Sequence, residues 1–417
     1  MVSLARKNLL EDIPRFLVAQ AGILFAVSLV TLQTGIFMGF SQSTVTLINN
    51  SSADLWVSSQ SLVQLELTLP IPVSELIKAR DVEGVSRAEG LLFSGAQWYP
   101  PEGDMARVRV VGFDPGGQLY RPPEVVEGNL SSLRNPYAVM INRTDQGSLN
   151  VPETGVTVEM NSLPAKVVGM TEGNASMISN PFIVTSLKNG NAYLNAGRTS
   201  QINCRLPQGS SQLECVNRFE EIDKQQNVEP PRMPRDLVAS DVITFILVKA
   251  EPGVDISTLK QRLEENLNLV TAYTQPELIQ KTQTYWQQRT GIGFILGLGA
   301  VVGIIVGVVV VSQILYSSVS DHLKEFGTLK AMGASAGMIY RVIIEQALWM
   351  AILGYLPAII LCLGLATWIN TNQGTLLLIT PESAIAIFII TIIMCVGSAI
   401  FAIQKVNRVD PAIVFKA

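Results

Sequence analysis

The side chains from which this chain could build chemistry are few: four cysteines, one histidine and a short run of opposed charges. Cys204 and Cys215 sit in the polar middle, spaced closely enough for one disulfide if that region faces an oxidising compartment. Two unpaired thiols is the alternative. Cys362 and Cys395 fall inside apolar runs, where a thiol acts as a small hydrophobe. His322 is the single histidine, which removes a His-based zinc centre and a Ser-His-Asp triad from the options. The dipeptide Gly-Lys, which a phosphate-binding G-x-x-x-x-G-K-[ST] loop requires, occurs nowhere. The H-E-x-x-H and C-x-x-C signatures are missing too. The chain is therefore expected to bind no cofactor or metal, to hydrolyse no ATP itself and not to be an enzyme. A membrane enzyme would need an acidic or nucleophilic cluster in an outer pocket, and the spacing shows none.

The charged run is "DHLKEFGTLKAMGAS", Asp321 to Ser335, set between two long uncharged stretches. At helical spacing Leu323, Phe326 and Leu329 make an apolar stripe, while Asp321, Lys324, Glu325 and Lys330 supply a polar surface. Gly333 would end that helix, and Ala334 and Ser335 lead into the next. A helix lying on lipid accounts for the stripe. Glu345, at the edge of a following apolar run, sits one helical turn from Arg341. Pairing with that arginine or reaching water explains it better than a proton pathway.

The elements that must position this segment are membrane spans. The chain is 48% hydrophobic and only 15% charged, against roughly a quarter charged in a soluble domain. Residues 16–40 carry no charge, and further apolar runs cover 290–319, 342–369 and 383–404. Each reaches the roughly 20 residues that a helix needs to cross a bilayer. The first run exceeds the apolar core of a signal peptide and reads as a retained anchor. Spans two and three are rich in Gly and Ala, which lets helix backbones approach closely. Pro357 predicts a kink in span three that neighbouring helices can tolerate.

Lys and Arg near the span ends set the orientation. Arg6, Lys7 and Arg15 precede span one, Lys324, Lys330 and Arg341 separate spans two and three, and Lys405, Arg408 and Lys416 follow span four. Segments 1–15, 320–341 and 405–417 are thus expected in the cytoplasm. Residues 41–289 and the short loop 370–382 are expected outside. With a net charge of −4, nothing suggests a nucleic-acid partner.

The outer region reads as mixed α and β. "ADLWVSS", "ARVRVVGFD", "PAKVVGM" and "VITFILVKA" look like strands. "PVSELIKARD" and "DISTLKQRLEENLNLV" have helical spacing, the latter with Asp255 or Ser257 as N-cap. Proline and glycine clusters such as "YPPEGD", "FDPGG" and "YRPPE" mark turns. "QPELIQKTQTYWQQRTGIGF" predicts one helix continuing from the outer region into span two, with Tyr285 and Trp286 as interfacial aromatics. The expected fold class is an α-helical membrane protein with four transmembrane helices and a large α+β extracytoplasmic domain between helices 1 and 2.

"DHLKEFGTLKAMGAS" followed by an apolar helix resembles the hallmark loop of FtsX/MacB-type ABC transporter permeases, E-[IF]-G-x-L-[RK]-A-[LIM]-G-A-S. The match holds at Glu325, Phe326, Gly327, Leu329, Lys330, Ala331, Met332, Gly333, Ala334 and Ser335. One span, a large outer domain and three further spans is also that family's order. Within it, "ADLWV", "VVGFDP", "YWQQRTGIG" and "VDPAIVF" are similar to DevC-like permeases. The resemblance implies a dimer in a bacterial inner membrane, both termini cytoplasmic, and a separately encoded ATPase dimer that uses ATP and Mg and grips the Asp321–Ser335 loop. The resemblance also offers "ARKNLLEDIPRF" as a second contact for that ATPase. It further implies a periplasmic membrane-fusion adaptor, an outer-membrane channel and lipid-like or other amphipathic cargo. Two other readings remain open: an FtsX-like transducer that activates a periplasmic partner without transporting, and a LolC-like lipoprotein-releasing permease.

Overall fold

The computed structural model describes residues 13–122, 124–173, 180–196, 198–205, 214–221, 233–289, 291–321, 336–372 and 376–407. Two compact units make up the chain: Ser41–Trp286, and Met1–Phe40 together with Gln287–Ala417. Helix α1 (Ile13–Ser43) carries the first span, and a short turn of helix, α2 (Thr46–Asn49), follows it.

The outer unit then alternates strands and helices. In chain order these are β1 (Leu55–Ser59), β2 (Ile71–Pro72), α3 (Val73–Arg80), β3 (Val85–Tyr99), β4 (Ala106–Phe113), β5 (Val125–Glu127), β6 (Ala138–Asn142) and β7 (Thr157–Met160). After them come β8 (Leu163–Thr171), β9 (Phe182–Ser186), α4 (Leu187–Asn195), β10 (Arg198–Arg205), β11 (Glu214–Glu221), β12 (Val242–Ile243), β13 (Phe245–Ala250), α5 (Ile256–Asn266), β14 (Val270–Thr274) and α6 (Gln275–Arg289). The main sheet runs β14-β1-β13-β3-β4-β9-β6-β8-β5, with β7 paired to β3 and β8. It is mixed: β4 with β9 and β6 with β8 are parallel, and the remaining pairs are antiparallel.

β1 is buried along its whole length, because both faces of the sheet are covered there. Side chains alternate across a strand. Leu55 and Val57 accordingly pack with Leu76 and Ala79 of α3 and Leu259 and Leu263 of α5. Trp56, facing the other way, packs with Val45, Leu47, Ile48 and Leu278. Beyond the middle of β3 a separate cluster gathers Trp98, Val110, Val139, Ile141, Val167, Ile183 and Tyr193. The expected strand "VITFILVKA" is split in two. β12 pairs with β2 and β13 joins the main sheet. At the junction Thr244 Oγ1 accepts from Phe93 N at 2.7 Å and donates to Phe93 O at 3.0 Å, replacing the ladder bonds that the break removes. Of the two candidate caps for α5, Asp255 is the one used, its Oδ2 accepting from Thr258 N at 3.0 Å.

The span unit adds α7 (Ile292–Asp321), α8 (Ala336–Asn372) and α9 (Pro381–Asn407) to α1. The four stretches long and apolar enough to cross a membrane are Phe16–Ser43, Ile292–Ser317, Tyr340–Asn370 and Pro381–Ala399. Ile23, Val27, Leu315, Ala347, Ala351 and Cys395 are among the buried residues joining all four helices. Glycine permits the closest approaches: a Cβ on Gly307 would lie 2.2 Å from Met394 Sδ, and one on Gly39 only 1.5 Å from the Leu376 carbonyl oxygen. Pro357 lies inside α8 without ending it.

Candidate functional site

Helix α6 is the outer unit's last element before span two, and its start is specified locally. Thr274-Gln275-Pro276-Glu277 forms a capping box. Glu277 Oε2 accepts from Thr274 N at 2.9 Å, and Thr274 Oγ1 accepts from Glu277 N at 3.4 Å. Proline fits a first helical turn, where its missing N–H costs nothing. Lys260 of α5 donates to Glu277 Oε2 at 2.8 Å and holds that carboxyl below the usual range.

From this fixed start α6 runs back along α2 and the last turn of α1. Gln275 Nε2 donates to Ile48 O at 3.2 Å, and Gln283 Nε2 to Ser41 O at 3.4 Å. Between them the fully buried Thr282 accepts from Leu65 N at 3.3 Å. Leu278 fills the same face, packed in the cluster that contains Ile48 and Trp56. Eight residues of α6, about 12 Å at 1.5 Å per residue, are thus bonded at one end to Ile48 in α2 and at the other to Ser41 in the last turn of α1. Sequence reading assigned none of Gln275, Thr282 and Gln283 a role. The one signal was a run of Gln and Thr on a helix next to a span.

The expected continuous helix into span two is not what forms. α6 ends at Arg289, Gly291 takes φ +64°, and α7 begins at Ile292. A residue in the left-handed region cannot continue a right-handed helix, and glycine is the residue that enters that region without steric cost. Tyr285 and Trp286 lie on the last turns of α6, ring centroids 5.9 Å apart in an edge-to-face contact.

Asp321 is the last residue of α7. Lys324, Glu325, Phe326, Gly327, Leu329, Lys330, Ala331, Met332, Gly333, Ala334 and Ser335 lie outside the described residues, as do Arg6, Lys7, Arg408 and Lys416. Cys204 and Cys215 are direct partners in the β10–β11 hairpin. Cys362 and Cys395 are free and buried.

Several acidic residues of the outer unit are committed to structure. Glu89 accepts from Gln118 N and Leu119 N at 2.8 and 3.0 Å and pairs with Arg87. Glu75 accepts from Asn268 N at 3.0 Å and pairs with Lys78 at 2.8 Å. Asp145 differs: its Oδ2 is buried without a partner among the described residues, and burial pushes the carboxyl up to about 6. Among the described residues no group of three His, Cys, Asp or Glu could hold a metal ion.

Two family models match the chain. One, described as a MacB-like periplasmic core domain, covers residues 16–266, and the other, described as an FtsX-like permease C-terminal region, covers residues 297–411. Among solved structures, the periplasmic region of MacB from Actinobacillus actinomycetemcomitans is 10% identical over 57% of this chain and 97% of its own, with a TM-score of 0.33. The extracellular domain of the noncanonic ABC-type transporter YknZ from Gram-positive bacteria is 9% identical over 54% of this chain and 100% of its own, also at 0.33. No curated protein sequence matches.

Proposed function

The chain belongs to the FtsX/MacB-type ABC transporter permeases, and from that premise we propose that it is the membrane subunit of a bacterial exporter that carries force from a cytoplasmic ATPase to its periplasmic domain. Membership of the family implies association with an ABC ATPase and dimerisation. In this reading the termini are cytoplasmic, the membrane is the inner one, and a separate ATPase with its ATP and Mg grips Asp321–Ser335. Nucleotide-driven closure moves that loop, and the helices carry the shift outward. A periplasmic adaptor and an outer-membrane channel receive the cargo, which is lipid-like or otherwise amphipathic.

One observation carries the reading. The bonds at Ser41 and Ile48 tie α6, which leads to span two, to the end of α1 and the turn of helix after it, and the bond at Leu65 ties α6 to the turn between β1 and β2. Relative movement of these two arms therefore strains the sheet they both enter. The loop couples only if the ATPase binds its two positions differently, since a ligand indifferent to both states shifts nothing.

The test is mild detergent extraction of the full chain with mass spectrometry of what accompanies it, in wild type and Glu325→Lys. An ATPase and an adaptor with the wild type, and loss of the ATPase with the variant, is the expected result. Glu325→Lys and Gly333→Leu should also abolish ATP-dependent export while leaving insertion intact. Recovery of a cell-wall hydrolase in place of the adaptor would favour the transducer. Absence of any ATPase would end the proposal.

A further inference from the structure

We propose that Glu264 is an edge guard: its carboxylate occupies the backbone donor through which β14 would otherwise pair with β14 of a second copy of the chain. The main sheet begins at β14, whose one partner strand among the described residues is β1. The strand at the other end of the sheet, β5, is three residues long, and so short an edge offers little ladder to extend. β14 has five residues, Val270, Thr271, Ala272, Tyr273 and Thr274, and its β-branched and aromatic side chains favour strand pairing. An edge of that kind presents a row of backbone groups to any further strand.

Two carboxylates fill that row. In the register with β1, Ala272 lies opposite Val57 and Thr274 opposite Leu55. Only alternate residues of an antiparallel pair exchange backbone bonds. Ala272 N donates instead to Glu264 Oε1 at 2.9 Å, and Thr274 N, two residues on, to Glu277 Oε2 at 2.9 Å. Both N–H groups therefore turn away from β1, and both are taken. Glu277 also closes the capping box of α6, so its place has a second reason. Glu264 is on the last turns of α5, exposed, and reaches across to β14. Lysines complete the barrier: Lys260 Nζ and Lys281 Nζ lie 5.9 and 5.5 Å from the centre of the Tyr273 ring. An arriving strand would have to break two charge-assisted bonds and strip water from charged groups, which is costly.

A second copy is the strand to be kept out, because family membership implies dimerisation and a dimer holds two identical edges at high local concentration. The forbidden pairing has a definite geometry. The outward backbone of Ala272 places a two-fold axis at that residue, so that each copy presents the same edge to the other. The two copies of residue 269 would then stand six residues apart along the strands, about 20 Å at 3.3 Å per residue. The choice of a second copy rests on family membership, whereas the bond from Ala272 to Glu264 stands without it, and neither involves the ATPase.

The test uses the full chain in detergent, with Cys204 and Cys215 replaced by serine and a nitroxide attached through Leu269→Cys, a position 77% exposed. Pulsed dipolar spectroscopy compares this parent with the same chain carrying Glu264→Ala or Glu264→Gln. The expected result is a short, narrow distance between copies in Glu264→Ala that disappears on dilution with unlabelled chain. The parent should lack it, and so should Glu264→Gln, whose amide oxygen can still accept from Ala272 N. Hydrogen exchange of the parent, read at single residues by mass spectrometry, should show the Ala272 amide slowed roughly tenfold or more against an unstructured amide, as one such bond implies. The short distance in the parent overturns the guard, because the edge then pairs despite Glu264. Its absence from Glu264→Ala overturns it as well, and so does its presence in Glu264→Gln. Fast exchange at Ala272 in the parent overturns it without any variant. None of these outcomes touches the ATPase reading.

Discussion

Thr282 Oγ1 accepts the backbone N–H of Leu65 at 3.3 Å, joining residues 217 positions apart. Both partners are buried, so removing the acceptor would leave a donor with neither water nor protein to bond. That costs about 1–3 kcal/mol. Thr282→Val keeps the shape and deletes the oxygen. Hydrogen exchange at the Leu65 amide should rise at least tenfold in the full chain, by mass spectrometry in detergent. Unchanged exchange would show that the bond does not hold the turn.

Packing of the spans can be tested at two glycines. Gly39→Ala places a methyl 1.5 Å from the Leu376 carbonyl oxygen, a backbone atom that no rotamer change can move. Overpacking of this kind costs about 1–3 kcal/mol or more. Gly364→Ala meets nothing within 4 Å and should be neutral or gain up to ~1 kcal/mol of helix propensity. Unfolding midpoints in a dodecyl sulfate titration would separate the two, and equal midpoints would contradict the packing described.

Asp145 predicts a pH dependence of stability. Its carboxyl titrates near 3.8 ordinarily and about 6 in the fold, so between those values the folded state holds a proton that the unfolded chain has released. Stability contributed by this residue is therefore present below about pH 4, falls through about pH 6 and stays lost above it. Asp145→Asn should flatten this slope and raise the thermal midpoint at pH 8. Parallel melting curves for wild type and variant across pH 4–8 would refute the assignment.

Cys204 and Cys215 are opposed across an antiparallel pair, where Cα atoms stand about 4.5–5.5 Å apart. That lies inside the ~4.4–6.8 Å that a disulfide spans. In protein isolated without reductant and unfolded in dodecyl sulfate, a maleimide mass tag should modify Cys362 and Cys395 alone. Prior reduction should expose all four cysteines. Four tags without reduction would mean that the pair is unbonded.

Much of the architecture was legible because its signals are local. An uncharged run of span length declares itself, and the strand at Leu55–Ser59 and the helix at Ile256–Asn266 follow from a short apolar run and from helical apolar spacing. Thr274 and Glu277, three apart, form a start signal that the sequence contained and the reading passed over. The break at Gly291 was hidden because "GIG" suits a packed span as well as a helix end, and only the backbone angle distinguishes them. The staples at Ile48, Ser41 and Leu65 were hidden for a different reason. A Gln or Thr on a helix is ordinary by itself, and its partners come from more than two hundred residues earlier.

Strand β3 pairs with β13 through Val85–Leu91 and with β4 through Leu92–Trp98. One uninterrupted backbone thus serves two hydrophobic clusters, one built around Trp56 and the other around Trp98. The two clusters also share β4, β6 and β9. A change at the centre of β3 should therefore disturb both clusters at once.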